Sequence, residues 1–157
     1  MRYYTGTGSP SAPRDILDLM TNIAFRLAQA GYTLRSGGAA GADKAFERGA
    51  GGNADIYRAN DATWEAMEMA RKYHSAWGRC SSYARKLHAR NAFQVLGPGL
   101  DKPSEFMICW TPDGCISHAD RSRFTGGTGT AISIAEAYGV PIFNLQRKAH
   151  RDWAENS

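Results

Sequence analysis

The sequence predicts an α/β fold: a Rossmann-like, doubly wound, mostly parallel sheet with helices on both faces. Three observations predict it. Short apolar segments alternate with longer segments of helical periodicity along the chain, as in successive βαβ units. Two glycine-rich turns, Ser36-Gly37-Gly38-Ala39-Ala40-Gly41 and Thr125-Gly126-Gly127-Thr128-Gly129-Thr130, each stand directly before a helical segment. The 157 residues, 43% hydrophobic and 22% charged, suffice for one domain with a real core. The chain therefore reads as a single domain over 1–157, with its core at about 2–145 and a short tail at 146–157.

Each element has a local reason. Arg2 to Thr5 reads as a first strand and runs into the turn-rich Gly6-Thr7-Gly8-Ser9-Pro10. Ile16, Leu17, Met20, Ile23, Ala24 and Leu27 recur at helical spacing between Arg14 and Ala30, and Gly31 supplies a C-terminal cap. Tyr32 to Arg35 forms the second strand; the helix after Gly41 runs to about Ala50 and stops at Gly51-Gly52-Asn53. A short strand over 54–59 and a helix over 62–73 follow, with Trp64, Met67 and Met69 expected in the core. Ser81-Ser82 starts the next helix, which ends at Gly97-Pro98-Gly99. Glu105 to Thr111 reads as a buried strand, 112–124 as a polar loop, 131–137 as a helix and Ile142 to Leu145 as the last strand. The tail, Gln146 to Ser157, reads as a surface helix.

Composition narrows the function. No apolar run approaches the ~20 residues needed to cross a bilayer, and Met1-Arg2-Tyr3-Tyr4-Thr5-Gly6 lacks the apolar core of a signal peptide. A cytoplasmic protein without a membrane partner is expected. Cys80, Cys109 and Cys115 are odd in number and irregularly spaced, which argues against a disulfide framework. Cys109-x5-Cys115-x2-His118 matches no common zinc spacing, so neither a metal nor a cofactor is expected. A net charge of +4 and a pI near 9.1 suit phosphorylated ligands or nucleic acid. Basic residues concentrate between Arg79 and Arg90.

The two glycine turns carry the chemistry. Glycines let a backbone bend sharply and present its N–H groups, and the following helix adds unpaired amides and a positive dipole end. Such a turn favours an anion, most often a phosphate. In a doubly wound sheet the ligand lies beyond the carboxyl ends of the strands. The candidate contacts are accordingly Gly6, Thr7, Gly8 and Ser9 after the first strand and Ser36, Gly37, Gly38, Gly41, Ala42 and Asp43 after the second. Trp110, where the buried strand ends, and Gly126, Gly127, Thr128, Gly129 and Thr130 complete the set, with Arg90 from the helix between. Asp43 suits either the helix dipole or a contact to a ribose hydroxyl or a base. Asp43, Arg90 and Glu136 are the candidates for a catalytic role, should there be one. Ser133 lacks a histidine or acid at a spacing that would make it a nucleophile.

These residues resemble the SLOG superfamily, the Rossmann-like group of the DNA-processing protein A (DprA) family and the LOG-type cytokinin-activating phosphoribohydrolases. Ser36-Gly37-Gly38-Ala39-Ala40-Gly41-Ala42-Asp43-Lys44-Ala45-Phe46 is similar to the DprA pattern Ser-Gly-x-Ala-x-Gly-x-Asp-x-x-Ala-His, with Phe46 in place of the histidine. Gly126-Gly127-Thr128-Gly129-Thr130 resembles the LOG motif, and His88-Ala89-Arg90-Asn91 the helix motif whose arginine reaches the nucleotide. The resemblance spans Tyr4 to Leu145 and implies a homodimer. Departures are specific: Ser133 stands where LOG hydrolases carry a glutamate, and Gly6-Thr7-Gly8 replaces an arginine-bearing Gly-Ser-Arg. The C-terminal extension of DprA is not found either.

Three readings follow. The leading one is a protein that binds a nucleotide or nucleotide-derived phosphorylated small molecule, sensing or sequestering it without turnover. A LOG-like nucleotide N-glycosidase is the first alternative, weakened by the missing carboxylate at Ser133. A DprA-like binder of single-stranded DNA is the second, drawing on Arg79, Arg85, Lys86, Arg90 and neighbouring aromatics.

Overall fold

The computed structural model describes residues 1–156. Five strands, β1 (Arg2–Gly6), β2 (Tyr32–Ser36), β3 (Ala54–Ile56), β4 (Met107–Cys109) and β5 (Ile142–Asn144), form one sheet in the order β3-β2-β1-β4-β5. Every neighbouring pair is parallel. The sheet is thus wholly parallel, where the sequence predicted a mostly parallel one. The chain builds leftward from β1 to β3 and then crosses to β4 and β5. The order reverses between β1 and β4, which is where a doubly wound sheet opens a crevice.

Helices α1 (Arg14–Gln29), α2 (Ala42–Ala50) and α6 (Lys148–Glu155) cover one face; α3 (Trp64–Arg71), α4 (Ser82–Leu96) and α5 (Thr128–Ala137) cover the other. On the first face Ile16, Met20 and Phe46 pack on Tyr4, Leu34 and Ile108. On the second, Phe93, Leu96, Ile132 and Ile134 pack on Met107 and Cys109. Strands buried on both faces read as continuous apolar runs, which is why Phe106-Met107-Ile108-Cys109-Trp110 was legible as a strand.

Two helices, α3 and α4, start at a side-chain cap. The Thr63 hydroxyl accepts the Ala66 N–H at 3.2 Å, and the Ser81 hydroxyl accepts the Ala84 N–H at 3.1 Å. Three expectations are corrected. The third strand ends at Ile56, because the chain turns into a 3-10 turn at Ala59–Asp61 whose Asp61 carboxylate accepts the Arg58 N–H at 2.7 Å. The fourth strand is three residues long by its ladder, although Thr5 and Ser9 still donate to the carbonyls of Phe106 and Trp110. Trp64, expected in the core, is 68% exposed, because it opens α3 on the side away from Ala66 and Ala70. In the tail, α6 ends at Glu155; Ser157 lies outside the described residues. Among the described residues no helix is long and apolar enough to cross a membrane.

The α1–α2 contact is closer than ordinary side chains allow. A Cβ on Gly49 would lie 2.0 Å from the Thr21 carbonyl oxygen and 2.8 Å from the Ala24 Cβ. Thr21 reinforces the approach by donating its hydroxyl to the Ala45 carbonyl at 2.9 Å. Glycine-to-alanine inside a helix ordinarily gains up to about 1 kcal/mol. Here Gly49→Ala is expected to cost about 1–3 kcal/mol instead, because the helices must separate. Urea unfolding checks this: the midpoint should fall with an unchanged slope, and an equal or higher midpoint would refute the packing account.

Candidate functional site

A cavity of about 320 Å³ opens over the carboxyl ends of the strands. Thr7, Gly8 and Ser9 follow β1; Ala39 and Asp43 follow β2; His88, Arg90 and Asn91 come from α4; Phe124 to Thr128 lead into α5. A larger cavity, about 520 Å³, lies along β3 and is lined by Asp55, Tyr57, Asp61 and Phe93 among others. Its ionisable lining is acidic and it lacks a cationic side chain, so it suits an anion poorly. The smaller crevice is the candidate site.

Helix α4 joins both glycine turns. Arg90 donates Nη1–H to the Gly37 carbonyl at 3.0 Å, and Asn91 donates Nδ2–H to the Gly127 carbonyl at 3.1 Å. Gly37 is indispensable to the first contact. A Cβ there would lie 2.6 Å from Gln94 Nε2, 2.9 Å from Asp43 Oδ2 and 3.1 Å from Arg90 Cζ. Asp43 is 2% exposed; its Oδ1 accepts the Thr7 hydroxyl at 2.7 Å and its Oδ2 the Ala39 N–H at 3.2 Å. Burial holds its carboxyl above the usual range, against the pull of those two donors and of Arg90. His88 is pushed down to about 4 by burial, with the charges of His74, Arg121 and Arg90 adding to it, so its imidazole is neutral at physiological pH.

The structure divides the expected site residues into two groups. Thr7, Gly8, Ser9, Asp43, Arg90, Gly126, Gly127 and Thr128 line the crevice. The others shape it from behind. Gly6 is buried beneath it, where a Cβ would strike Phe46, and its carbonyl accepts the Ser36 hydroxyl at 2.6 Å. Ala42 and the Trp110 backbone sandwich Gly8, so Trp110 offers its main chain to that glycine and does not line the crevice. Gly38 lies against Arg58, Gly41 against Pro10 and Gly129 against Arg121. Thr130 Oγ1 lies 3.2 Å from His88 Nδ1.

Glu136 is outside the crevice, where its carboxylate accepts the His118 N–H at 3.1 Å. Ser133, thought to lack a histidine, has His118 Nδ1 at 2.7 Å from its Oγ and receives the Arg121 Nη1–H at 3.1 Å. It is 1% exposed and lies outside the crevice lining, which leaves an external substrate no approach.

Sequence reasoning missed two sets of residues. Phe124, 57% exposed at the rim, carries the Arg123 guanidinium 4.8 Å from its ring centre. No spacing rule marks a lone aromatic in a polar loop. Asp113 and Asn144 organise that loop from below. The Asp113 carboxylate accepts the hydroxyls of Thr111 at 2.8 Å, Ser122 at 2.7 Å and Thr125, and the Cys115 N–H at 3.3 Å. Buried Asn144 donates to Thr111 Oγ1 at 2.7 Å and to the Cys115 carbonyl at 2.8 Å. A third grouping also has no signature in the spacing: His74, Cys80 and His88 converge, with ligand atoms within 4.8 Å of one another.

No family model matches the sequence, and no curated protein does. Among solved structures the chain is similar to DNA processing protein A from Helicobacter pylori, studied for its mode of binding single-stranded DNA. The TM-score is 0.61 at 13% identity, over 99% of this chain and 79% of that one. The likeness is one of fold. It rests on the same parallel, Rossmann-like arrangement described above.

The Asp113 network yields a pH prediction. Partial burial opposes its ionisation, but the donors of Thr125, Ser122, Thr111 and Cys115 together hold its carboxyl below the usual range. A lowered folded-state value stabilises the fold above the ordinary carboxylate range, near pH 4, and that contribution is lost as pH falls through the folded value. Asp113→Ala should cost about 1–2 kcal/mol at pH 7. Its deficit against the parent should shrink as pH falls below about 4, while the parent progressively loses the same contribution. Paired thermal or urea melts across pH 3–7 check this; a deficit constant with pH would refute the charged network.

Proposed function

We propose that this protein is a DprA-like member of the SLOG group that binds single-stranded DNA, seating one nucleotide of the strand in the crevice. The observation that carries the reading is the conjunction of Arg90 and exposed Phe124 at a crevice framed by two glycine turns. Sequence-tolerant recognition of single strands needs a cation for the phosphate and an aromatic face for the base, and both line this cavity. Lys86, exposed one helical turn before Arg90 on α4, and Arg79, exposed in the turn before that helix, add basic side chains for flanking phosphates. The shared fold with a protein that binds single-stranded DNA supports the same reading.

A second reading has its own support. About 320 Å³ with a buried carboxyl at its floor suits one nucleotide or a nucleotide-derived signal. In that case Asp43 would meet a ribose hydroxyl or a base edge. The N-glycosidase reading is the least supported. Asp43 is the one carboxylate lining the crevice among the described residues, and Thr7 and Ala39 already occupy it.

Fluorescence anisotropy with labelled oligothymidylates of increasing length, alongside thymidine monophosphate, separates the first two readings. Affinity is expected to grow with length and to fall steeply with salt. Phe124→Ala should weaken oligonucleotide binding by about 1–3 kcal/mol, roughly 5- to 150-fold, through lost stacking. Lys86→Ala should reduce the slope of log affinity against log salt by up to about 1. Equal affinity for the monophosphate and the longest oligonucleotide, insensitive to salt, would overturn the single-strand reading in favour of the small molecule.

A further inference from the structure

We propose that His74, Cys80 and His88 form a binding site for a transition-metal ion of the zinc class. The three residues come from two places. His74 and Cys80 lie in the loop between α3 and α4, and His88 lies in the second turn of α4. Their ligand atoms all fall within 4.8 Å of one another. Cys80 Sγ is 3.6 Å from His74 Nε2, and the two imidazoles pack edge to face with centroids 4.3 Å apart. An ion with bonds of about 2.0 Å to nitrogen and 2.3 Å to sulfur holds such a pair of tetrahedral ligands about 3.6 Å apart. The Cys80–His74 edge therefore already has the length such a site needs.

The donor set selects the ion. Two imidazoles and a thiolate suit zinc and its neighbours, whereas magnesium and calcium require oxygen ligands. His88 carries the second contact typical of a ligating histidine. With Thr130 Oγ1 3.2 Å from Nδ1, that nitrogen can donate to the hydroxyl and leave the Nε2 lone pair free for the ion. His74 must change. Its Nδ1 accepts the Ala76 N–H at 3.0 Å, which places the ring proton on Nε2, facing Cys80. Ion entry moves that proton to Nδ1, breaks the Ala76 contact and releases the thiol proton of Cys80 to solvent. One proton leaves, and a divalent ion with one thiolate keeps a net charge of +1. Burial and, after it, the guanidinium of Arg121 bias both histidines towards the neutral form that ligation requires.

Three protein ligands leave a fourth position open, as in zinc sites that accept a water or a ligand atom. His88 also lines the crevice, so the ion would sit one side chain from the proposed nucleotide and would fasten the 72–81 loop to α4 at its edge. The proposal does not depend on what fills the crevice.

Cobalt(II) titration of the untagged full chain tests it, followed by optical absorption. The expected result is one equivalent bound, with visible bands of tetrahedral strength and a near-ultraviolet thiolate-to-cobalt band. Cys80→Ser should abolish the thiolate band, and Cys115→Ser should keep it. Circular dichroism confirms that each variant is folded; Cys80 lies in a half-buried loop and its replacement leaves the core intact. Thr130→Val, which removes the hydroxyl beside His88, should weaken zinc affinity about 10- to 100-fold in competition with a chromogenic chelator. Absent cobalt bands in the folded parent would overturn the site. So would a thiolate band that survives Cys80→Ser, since the ion would then be held elsewhere.

Discussion

The structure depends on one helix reaching two turns at once. Consecutive residues of α4, Arg90 and Asn91, donate to carbonyls of the first and second glycine turns, Gly37 and Gly127. Those carbonyls belong to opposite halves of the sheet, and the reversal of strand order between β1 and β4 is what brings them together. Backbone carbonyls in a partly closed crevice need donors, since leaving one unpaired costs as much as the hydrogen bond it lacks. The two contacts therefore fix the width of the crevice while satisfying groups that the turns themselves expose.

Below that level, buried polar groups hold the loops that sheet and helices leave free. Arg35 is 1% exposed on β2, with its guanidinium 4.0 Å from the centre of the Tyr3 ring. It donates to the Lys102 carbonyl at 2.6 Å and the Ser104 hydroxyl at 3.2 Å. It thereby ties the return from α4 to β4 against the strand. Asp113 and Asn144 do the same for the 111–125 segment. A buried polar group is costly unless its partners are placed, so each of these side chains selects one loop conformation among many. The second glycine turn inherits its position from that selection.

The crevice is electrostatically mixed. Arg90 and Asp43 meet around Gly37, and neither is free to reach far into the space without giving up a partner. The crevice thus presents one guanidinium, two glycine turns and a carboxyl that burial inclines towards its neutral form. Phe46 matters here by default. Packed under Gly6, its apolar ring puts no ionisable group beneath that turn, and Asp43 is the one carboxylate lining the crevice among the described residues.

Much of this was legible in the sequence for local reasons. Helical spacing from Ile16 to Leu27, the serine before α4, the glycine stops and the apolar run at β4 each encode their element within a few residues. The glycine turns announced the crevice, and eight of the residues expected there line it, because backbone conformation is set by near neighbours. The rest required the tertiary structure. Gly6 and Trp110 were placed at the right end of their strands but behind the surface, since the direction of a residue at a strand end depends on what packs against it. The partnership of His118 with Ser133, the Asp113 hub and the convergence of His74, Cys80 and His88 join residues whose spacing in the chain follows no pattern. Sequence fixes conformation where forces act between neighbours along the chain; side chains that meet across loops are brought together only by the sheet order and helix packing that the whole chain determines.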